Sequence, residues 1–396
     1  MTKRLYKLFV GALILSMVLT ACSGGKTSTA ADTIKIGGSL CLTGIQAPLD
    51  EPAMRGAQLA VDYINSQGGV LGKKLEFINL DGKSDPVTVG NNAVQLIQEG
   101  VVAIIAPSDF DFGGPASREA QKAGIVGISP AASSPLYGSK TLGDKQFTMS
   151  MWNTTMGAAA AEYAYNTLGY RSVYVVTDTF IDYTKSLSRY FIDAFKHLGG
   201  DVIFEDNYTQ GDQDFSAQLA RIKASPKTPD FLYISSYMPD LATIIRAIRE
   251  AGLNYPVMGG DSYDDPGLFT ALGTQYGNDI YFVTHSFIAP GVTPDMDKFM
   301  KLYKEKYGKD VDTLWVATGW DVVMILAQAM QKAGTTDGAA MAKVMEDNEW
   351  SLLTGKLQWS SAATGHEPNI EAPIVQLVNG TPKFIGWFRP AYLPAP

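Results

Sequence analysis

Short runs rich in Val, Ile, Phe and Tyr alternate with amphipathic stretches along the chain, and this alternation constrains the fold more than any other feature. Strand-length apolar runs separated by helix-length segments predict βαβ units with parallel sheets, hence an α/β fold. The first unit opens at Thr33-Ile34-Lys35-Ile36-Gly37-Gly38. A helix is predicted over 52–66, where Ala53, Ala57, Ala60, Val61 and Ile64 share one face and Gly68-Gly69 ends it. A strand is expected at 75–80. Asp85 as cap and Pro86 at the first helical position then open a helix reaching about residue 99. Residues 101–106 are apolar throughout, as a strand buried on both faces should be. A helix at 115–123 and a strand at 125–128 complete one doubly wound half.

The pattern then starts again. A helix is expected at 154–168, a strand at 172–177, a helix at 184–198 stopped by Gly199-Gly200, a strand at 202–204, a helix at 215–224 and a strand at 231–235. The helix over 239–251 carries Leu241, Ile244, Ile245 and Ile248 as its apolar stripe. Two similar lobes are implied. Beyond a strand at 280–284 lie helices at 295–307 and 315–333, and strands at 373–378 and 383–388 flank Asn379-Gly380, a hairpin signal.

Composition narrows the function. The 396 residues carry 32 Lys+Arg against 40 Asp+Glu, a net charge of −8, which argues against a nucleic-acid binder. With 46% apolar and 18% charged residues the chain has material for two cores and no signature of disorder. Two Cys and three scattered His exclude a disulfide scaffold or a cysteine-built zinc site. No cofactor or resident metal is expected.

At the N-terminus, Lys3, Arg4 and Lys7 precede a twelve-residue apolar run, Leu8 to Leu19, that is too short to span a bilayer. Residues 1–21 read as a signal peptide. Leu19-Thr20-Ala21-Cys22 resembles a bacterial lipobox, so Cys22 is the expected lipidation site and 22–31 a flexible tether. Loss of those three cations takes the net charge from −8 to −11. Cys41, without a partner, is expected to be a small buried residue near the end of the first strand.

The chain resembles the substrate-binding lipoproteins of ABC importers, of the leucine/isoleucine/valine-binding type, over nearly its whole mature length. The resemblance rests on Leu42-Thr43-Gly44, Gly56-Ala57, Ile64-Asn65, Gly68-Gly69, Asp85-Pro86, Pro115-Ala116-Ser117 and Ser129-Pro130-Ala131-Ala132. It continues through Asp214-Phe215-Ser216, Tyr237 and Ala251-Gly252-Leu253. It implies the type I periplasmic binding fold: two Rossmann-like lobes with parallel sheets, joined by three hinge crossovers expected near 148–152, 284–289 and 355–372. Lobe 1 is then 32–149 with 287–355, and lobe 2 is 150–286 with 356–396. It also implies a monomer, tied to the bacterial membrane by lipid and lying in the periplasm or at the outer cell face. Such a protein captures a small molecule by hinge closure and delivers it to the membrane subunits of an ABC permease.

The resemblance further implies the ligand contacts. The first lobe holds a ligand carboxylate with hydroxyls and backbone N–H groups; here these would come from Ala131-Ala132-Ser133 and from the turn beginning at Ser108. That turn departs from the family pattern, because Phe110 or a neighbour replaces a serine and Asp109 and Asp111 bring negative charge. The acids would repel a ligand carboxylate and attract a cation, or else they cap the following helix while the Phe rings pack inside. In the second lobe Tyr237 and Asp261 stand where the family receives an ammonium, which needs such oxygen acceptors. Tyr237 also suits a core and Asp261 a turn. Asp178 and Phe180, with Thr179 and Asp182, follow the first strand of lobe 2 and either line the cleft or cap the next helix. Leu49 stands near a position often filled by a ligand-stacking aromatic. Calcium at Asp109, Asp111, Asp264 and Asp265 is a further option, without a contiguous calcium-loop pattern behind it.

Amino acids and related amines or amides are therefore the expected ligands, with a cationic or aromatic compound as the alternative. Two other classes compete with transport. An enzyme would show a nucleophile elbow, a dinucleotide-binding glycine pattern or a metal-binding His pair, and none occurs. A ligand-sensing receptor module of the same fold would need a separate membrane partner.

Overall fold

The computed structural model describes residues 33–212 and 214–396. The signal peptide expected at 1–21, Cys22 and the tether at 22–31 lie outside the described residues. Among those described, no helix is long and apolar enough to cross a membrane.

In the first half, β1 (Ile34–Gly38), β2 (Leu75–Asn79), β3 (Ala103–Ile105), β4 (Val126–Ser129) and β5 (Gln146–Thr148) form a parallel sheet of order β2-β1-β3-β4-β5. Its register pairs Ile36 with Phe77 on one side and with Ala103 on the other. The second half repeats the plan. Strands β6 (Ser172–Asp178), β7 (Asp201–Tyr208), β8 (Phe231–Ser235), β9 (Val257–Gly259) and β10 (Ile280–Val283) run in the order β7-β6-β8-β9-β10, all parallel. Both halves thus reverse strand order at the same point, between their first and third strands, and open α/β sheets bind ligands outside the carboxyl ends of strands at such a point.

Three strands, β11 (Trp350–Leu352), β12 (Gly355–Trp359) and β13 (Pro368–Asn369), make a small antiparallel sheet on the return path, the last two within the stretch 355–372 where a crossover was expected. The predicted hairpin is present as β14 (Ala372–Val378) and β15 (Thr381–Phe388), turning at Asn379 and Gly380, both with positive φ. It extends the second sheet antiparallel to β10, so that sheet is mixed at its edge.

Local chemistry explains the helices. Asp85 accepts the Thr88 N–H at 2.6 Å and Pro86 sits in the first turn, opening the helix Pro86–Gln98, which buries Val89, Ala93 and Leu96. Two helices begin earlier than their sequence signals. Ala47–Ser66 carries Pro52 inside it, and Phe110–Lys122 carries Pro115. The helix expected at 154–168 is α-helical over Asn153–Glu162 and widens to a π turn over Tyr163–Thr167, which sets Tyr163 against Tyr281 and Phe388. Helix Trp315–Ala333 is apolar on almost every face and is buried to match. It lies against Ala47–Ser66 so closely that a Cβ on Gly319 would stand 1.9 Å from the Ala53 carbonyl oxygen. Cys41 is a free, fully buried thiol just beyond β1, and burial pushes its pKa well up.

Candidate functional site

The carboxyl ends of the two sheets face one another, and each predicted position can be followed from the strand that delivers it. Beyond β3, Ser108 donates both its N–H (2.9 Å) and its hydroxyl (2.6 Å) to Asp50 Oδ1. Asp50 is buried and its carboxyl is raised to about 6 by desolvation. Asp109 stands at the N-cap of Phe110–Lys122 and makes no capping bond. Its Oδ2 instead receives Gln46 Nε2 at 2.8 Å and the Tyr237 hydroxyl at 2.6 Å. The capping role weighed for Asp109 is therefore absent. Asp111 accepts the backbone N–H of Asp182 at 2.9 Å, so this acid too is spent on joining the halves.

The Phe rings do pack inside: Phe112 is buried, and Phe110 lies on the core of the first half with Arg118 over its ring. Beyond β4, Ser129 Oγ takes the N–H groups of Ala131 (3.3 Å) and Ala132 (3.0 Å). Ser133 Oγ is buried without a protein partner, and its carbonyl holds Asn153 N–H.

On the other side, Tyr237 follows β8 and its ring meets Tyr183 edge-on at 5.2 Å. Asp261 follows β9, in a short 3₁₀ turn, and is buried. Its Oδ2 lies 2.6 Å from Nε2 of His285, which also approaches Ser150 Oγ at 3.3 Å. His285 Nδ1 and Gln46 Oε1 are buried without partners. Asp109 and Asp261 act on each other electrostatically: burial above all, then the Asp261 and Asp111 charges, holds the Asp109 carboxyl up at about 7 against the pull of its two hydrogen bonds.

The structure thus brings Asp109, Tyr237 and Asp261 together and adds Gln46 and His285, which no sequence signal marked. It sends other candidates elsewhere. Asp178 is buried and tied to the N–H groups of Phe180 (2.9 Å) and Gln210 (3.0 Å). Phe180 is 47% exposed. Asp182 bonds Ser134 across the cleft. Leu49 is buried in the apolar core. Of the acids weighed for calcium, Asp264 accepts the Thr284 hydroxyl at 3.0 Å and Asp265 the Gly267 N–H at 2.6 Å. Among the described residues no group of three His, Cys, Asp or Glu could hold a metal ion.

The bonds Tyr237 to Asp109, Asp182 to Asp111 and Ser134 to Asp182 all cross between the two halves. These bonds join the two halves along a buried polar seam rich in hydrogen-bond acceptors. Such a seam can hold and orient a small polar solute.

Comparison with known proteins supports this reading. A family profile described as a periplasmic binding protein matches residues 33–382. The chain is 28% identical over 365 residues to an amino acid binding protein of Pseudomonas aeruginosa, covering 91% of this chain and 93% of that one. The structure of LivJ from Streptococcus pneumoniae, a branched-chain amino acid transporter substrate-binding protein in complex with isoleucine, superposes with a TM-score of 0.82 at 25% identity, covering 90% of this chain and all (100%) of that one. The leucine-binding protein LivK of Thermotoga maritima gives 0.81 at 29% identity, covering 90% of this chain and 99% of that one. A profile spanning most of the chain and two solved binding proteins agree with the duplicated sheets and the polar seam between them: this chain belongs to the periplasmic binding protein family and is a solute-binding protein.

Proposed function

We propose that this protein is the extracytoplasmic, lipid-anchored binding component of an ABC importer, non-catalytic and monomeric. It captures an amino acid or a related small amine or amide between lobe 1 (32–149 and 287–355) and lobe 2 (150–286 and 356–396), and a membrane permease receives the closed form. One observation carries the capture step: Tyr237 from one lobe donates to buried Asp109 of the other, so the binding groups are complete only when the hinge is shut. A solute that binds this closed arrangement pulls the open–closed equilibrium toward it.

The family comparison supports transport, since the related LivJ is a transporter substrate-binding protein. Asp261 and Tyr237 supply the acceptors an ammonium requires, and Ser133 contributes an uncommitted hydroxyl. The test is a thermal-shift screen against amino acids, polyamines, amides, and aromatic and short-chain acids. A ligand at 100 times its dissociation constant stabilises the folded state by about 2.7 kcal/mol, a shift of several degrees at most. A flat response across the panel refutes the reading.

A further inference from the structure

Resting on that capture reading, we propose that the site selects an amine cation that lacks a carboxylate, rather than a zwitterionic amino acid. The argument is a census of donors and acceptors at the seam. A ligand carboxylate needs donors, and several of those that a carboxylate-holding lobe would offer are already committed within the protein. Ser108 gives both its N–H and its hydroxyl to Asp50, and the Ala131 and Ala132 N–H groups go to Ser129 Oγ. Gln46 Nε2 and the Tyr237 hydroxyl both donate to Asp109 Oδ2. The protein has placed its own carboxylate, Asp109, among the groups that would otherwise receive the ligand's.

What remains uncommitted at Gln46 and His285 accepts. Gln46 Oε1 is an unpartnered, buried amide oxygen in the orientation that lets Nε2 serve Asp109. When His285 carries its proton on Nε2 toward Asp261, its unpartnered Nδ1 presents a lone pair. Asp109 and Asp261 add carboxylate oxygens from opposite lobes, and among the described residues neither is bonded by a Lys or Arg side chain. Ser133 Oγ works either way. A third carboxylate entering beside two buried ones would be repelled in a medium of low dielectric, whereas an ammonium offers three donors and the compensating charge.

Matched ligand pairs test this directly. Isoamylamine is leucine without its carboxylate, and isobutylamine bears the same relation to valine. Titration calorimetry of the protein with each pair is expected to show the amine binding at least tenfold more tightly than the amino acid. Compared above pH 8, where the Asp109 carboxyl is ionised, Asp109→Asn is expected to narrow that preference at least tenfold by removing the charge that repels a carboxylate. Tighter binding of leucine or valine to the unaltered protein overturns the proposal while leaving the capture reading intact. Binding of neither member, with other classes of the wider panel also silent, overturns both. The comparison in the unaltered protein decides the question even where the variant fails to fold.

Discussion

Tyr237, one loop beyond β8, and Asp109, at the mouth of β3, are joined by a 2.6 Å hydrogen bond that spans two sheets with no common strand. On the proposed hinge closure the bond forms only when the halves meet, so it is expected to contribute to the closure equilibrium rather than to the folding of either half. Tyr237→Phe removes a donor from the buried Asp109 carboxyl, a loss of about 1–3 kcal/mol. Ligand affinity is expected to fall by about ten- to a hundredfold, since the closed state alone is competent to bind. Calorimetry gives the affinity, and small-angle scattering of the ligand-free variant is expected to report a larger radius of gyration. An unchanged affinity would show that the bond is incidental to closure.

The pH dependence of stability follows from three buried acids, Asp50, Asp109 and Asp321, and the half-buried Asp264. Desolvation raises Asp50 to about 6 and Asp109, Asp264 and Asp321 to about 7, all from an ordinary value of 3.8. A carboxyl whose pKa is higher folded than unfolded holds its proton more tightly in the native state. Its contribution is therefore fully present below the unfolded value and is lost as pH rises through the folded one. The ligand-free protein is expected to melt at a higher temperature at pH 5 than at pH 7.5. Asp321 lies on helix Trp315–Ala333, away from the seam, and accepts Leu353 N–H, Thr354 N–H and the Thr354 hydroxyl. Asp321→Asn should flatten the slope by one group's share, and an unaltered slope would count against this assignment.

The crossing of helices Ala47–Ser66 and Trp315–Ala333 depends on two glycines. A Cβ on Gly56 would lie 1.9 Å from the Val316 carbonyl oxygen, and Gly319 meets Ala53 equally closely. Backbone cannot yield as a flexible side chain does, so Gly319→Ala is expected to cost about 1–3 kcal/mol through overpacking. Denaturant titration would show a lowered midpoint with an unchanged slope. Wild-type stability for this variant would mean the helices can part without cost.

Asp85→Ala removes the side-chain acceptor for Thr88 N–H and is expected to cost about 1 kcal/mol in the same assay. Asp85→Asn, which keeps an acceptor oxygen, should recover most of the loss.

Much of this fold was legible because the signals were local. Phe231–Ser235 and Trp315–Ala333 are predominantly apolar, and their predicted and observed bounds coincide. Asp85-Pro86 marks a start by capping chemistry alone. Pro52 and Pro115 misled for a physical reason. Proline favours the first turn of a helix, yet both are sixth residues of their helices, where the lost backbone bond is offset by burial of neighbours such as Ala53 and Ala116. The helices Pro266–Tyr276 and Gly338–Asp347 escaped notice because each is short and only partly buried. At the site, the family resemblance singled out Tyr237 and Asp261, and Asp109 stood out as a departure from the family pattern. Gln46 and His285 did not, because their roles come from side chains that meet across long sequence separations, and no spacing records that.

The packing of helix Trp315–Ala333 onto Ala47–Ser66 also sets an order of events. The first sheet is synthesised early, but the layer that covers one of its helices arrives near the end of the chain. A nascent chain lacking Trp315–Ala333 exposes the Ala53 and Ala57 face to water, so the half made first is completed last. Folding of this protein must therefore wait on distant contacts, with the slow kinetics that such contacts impose.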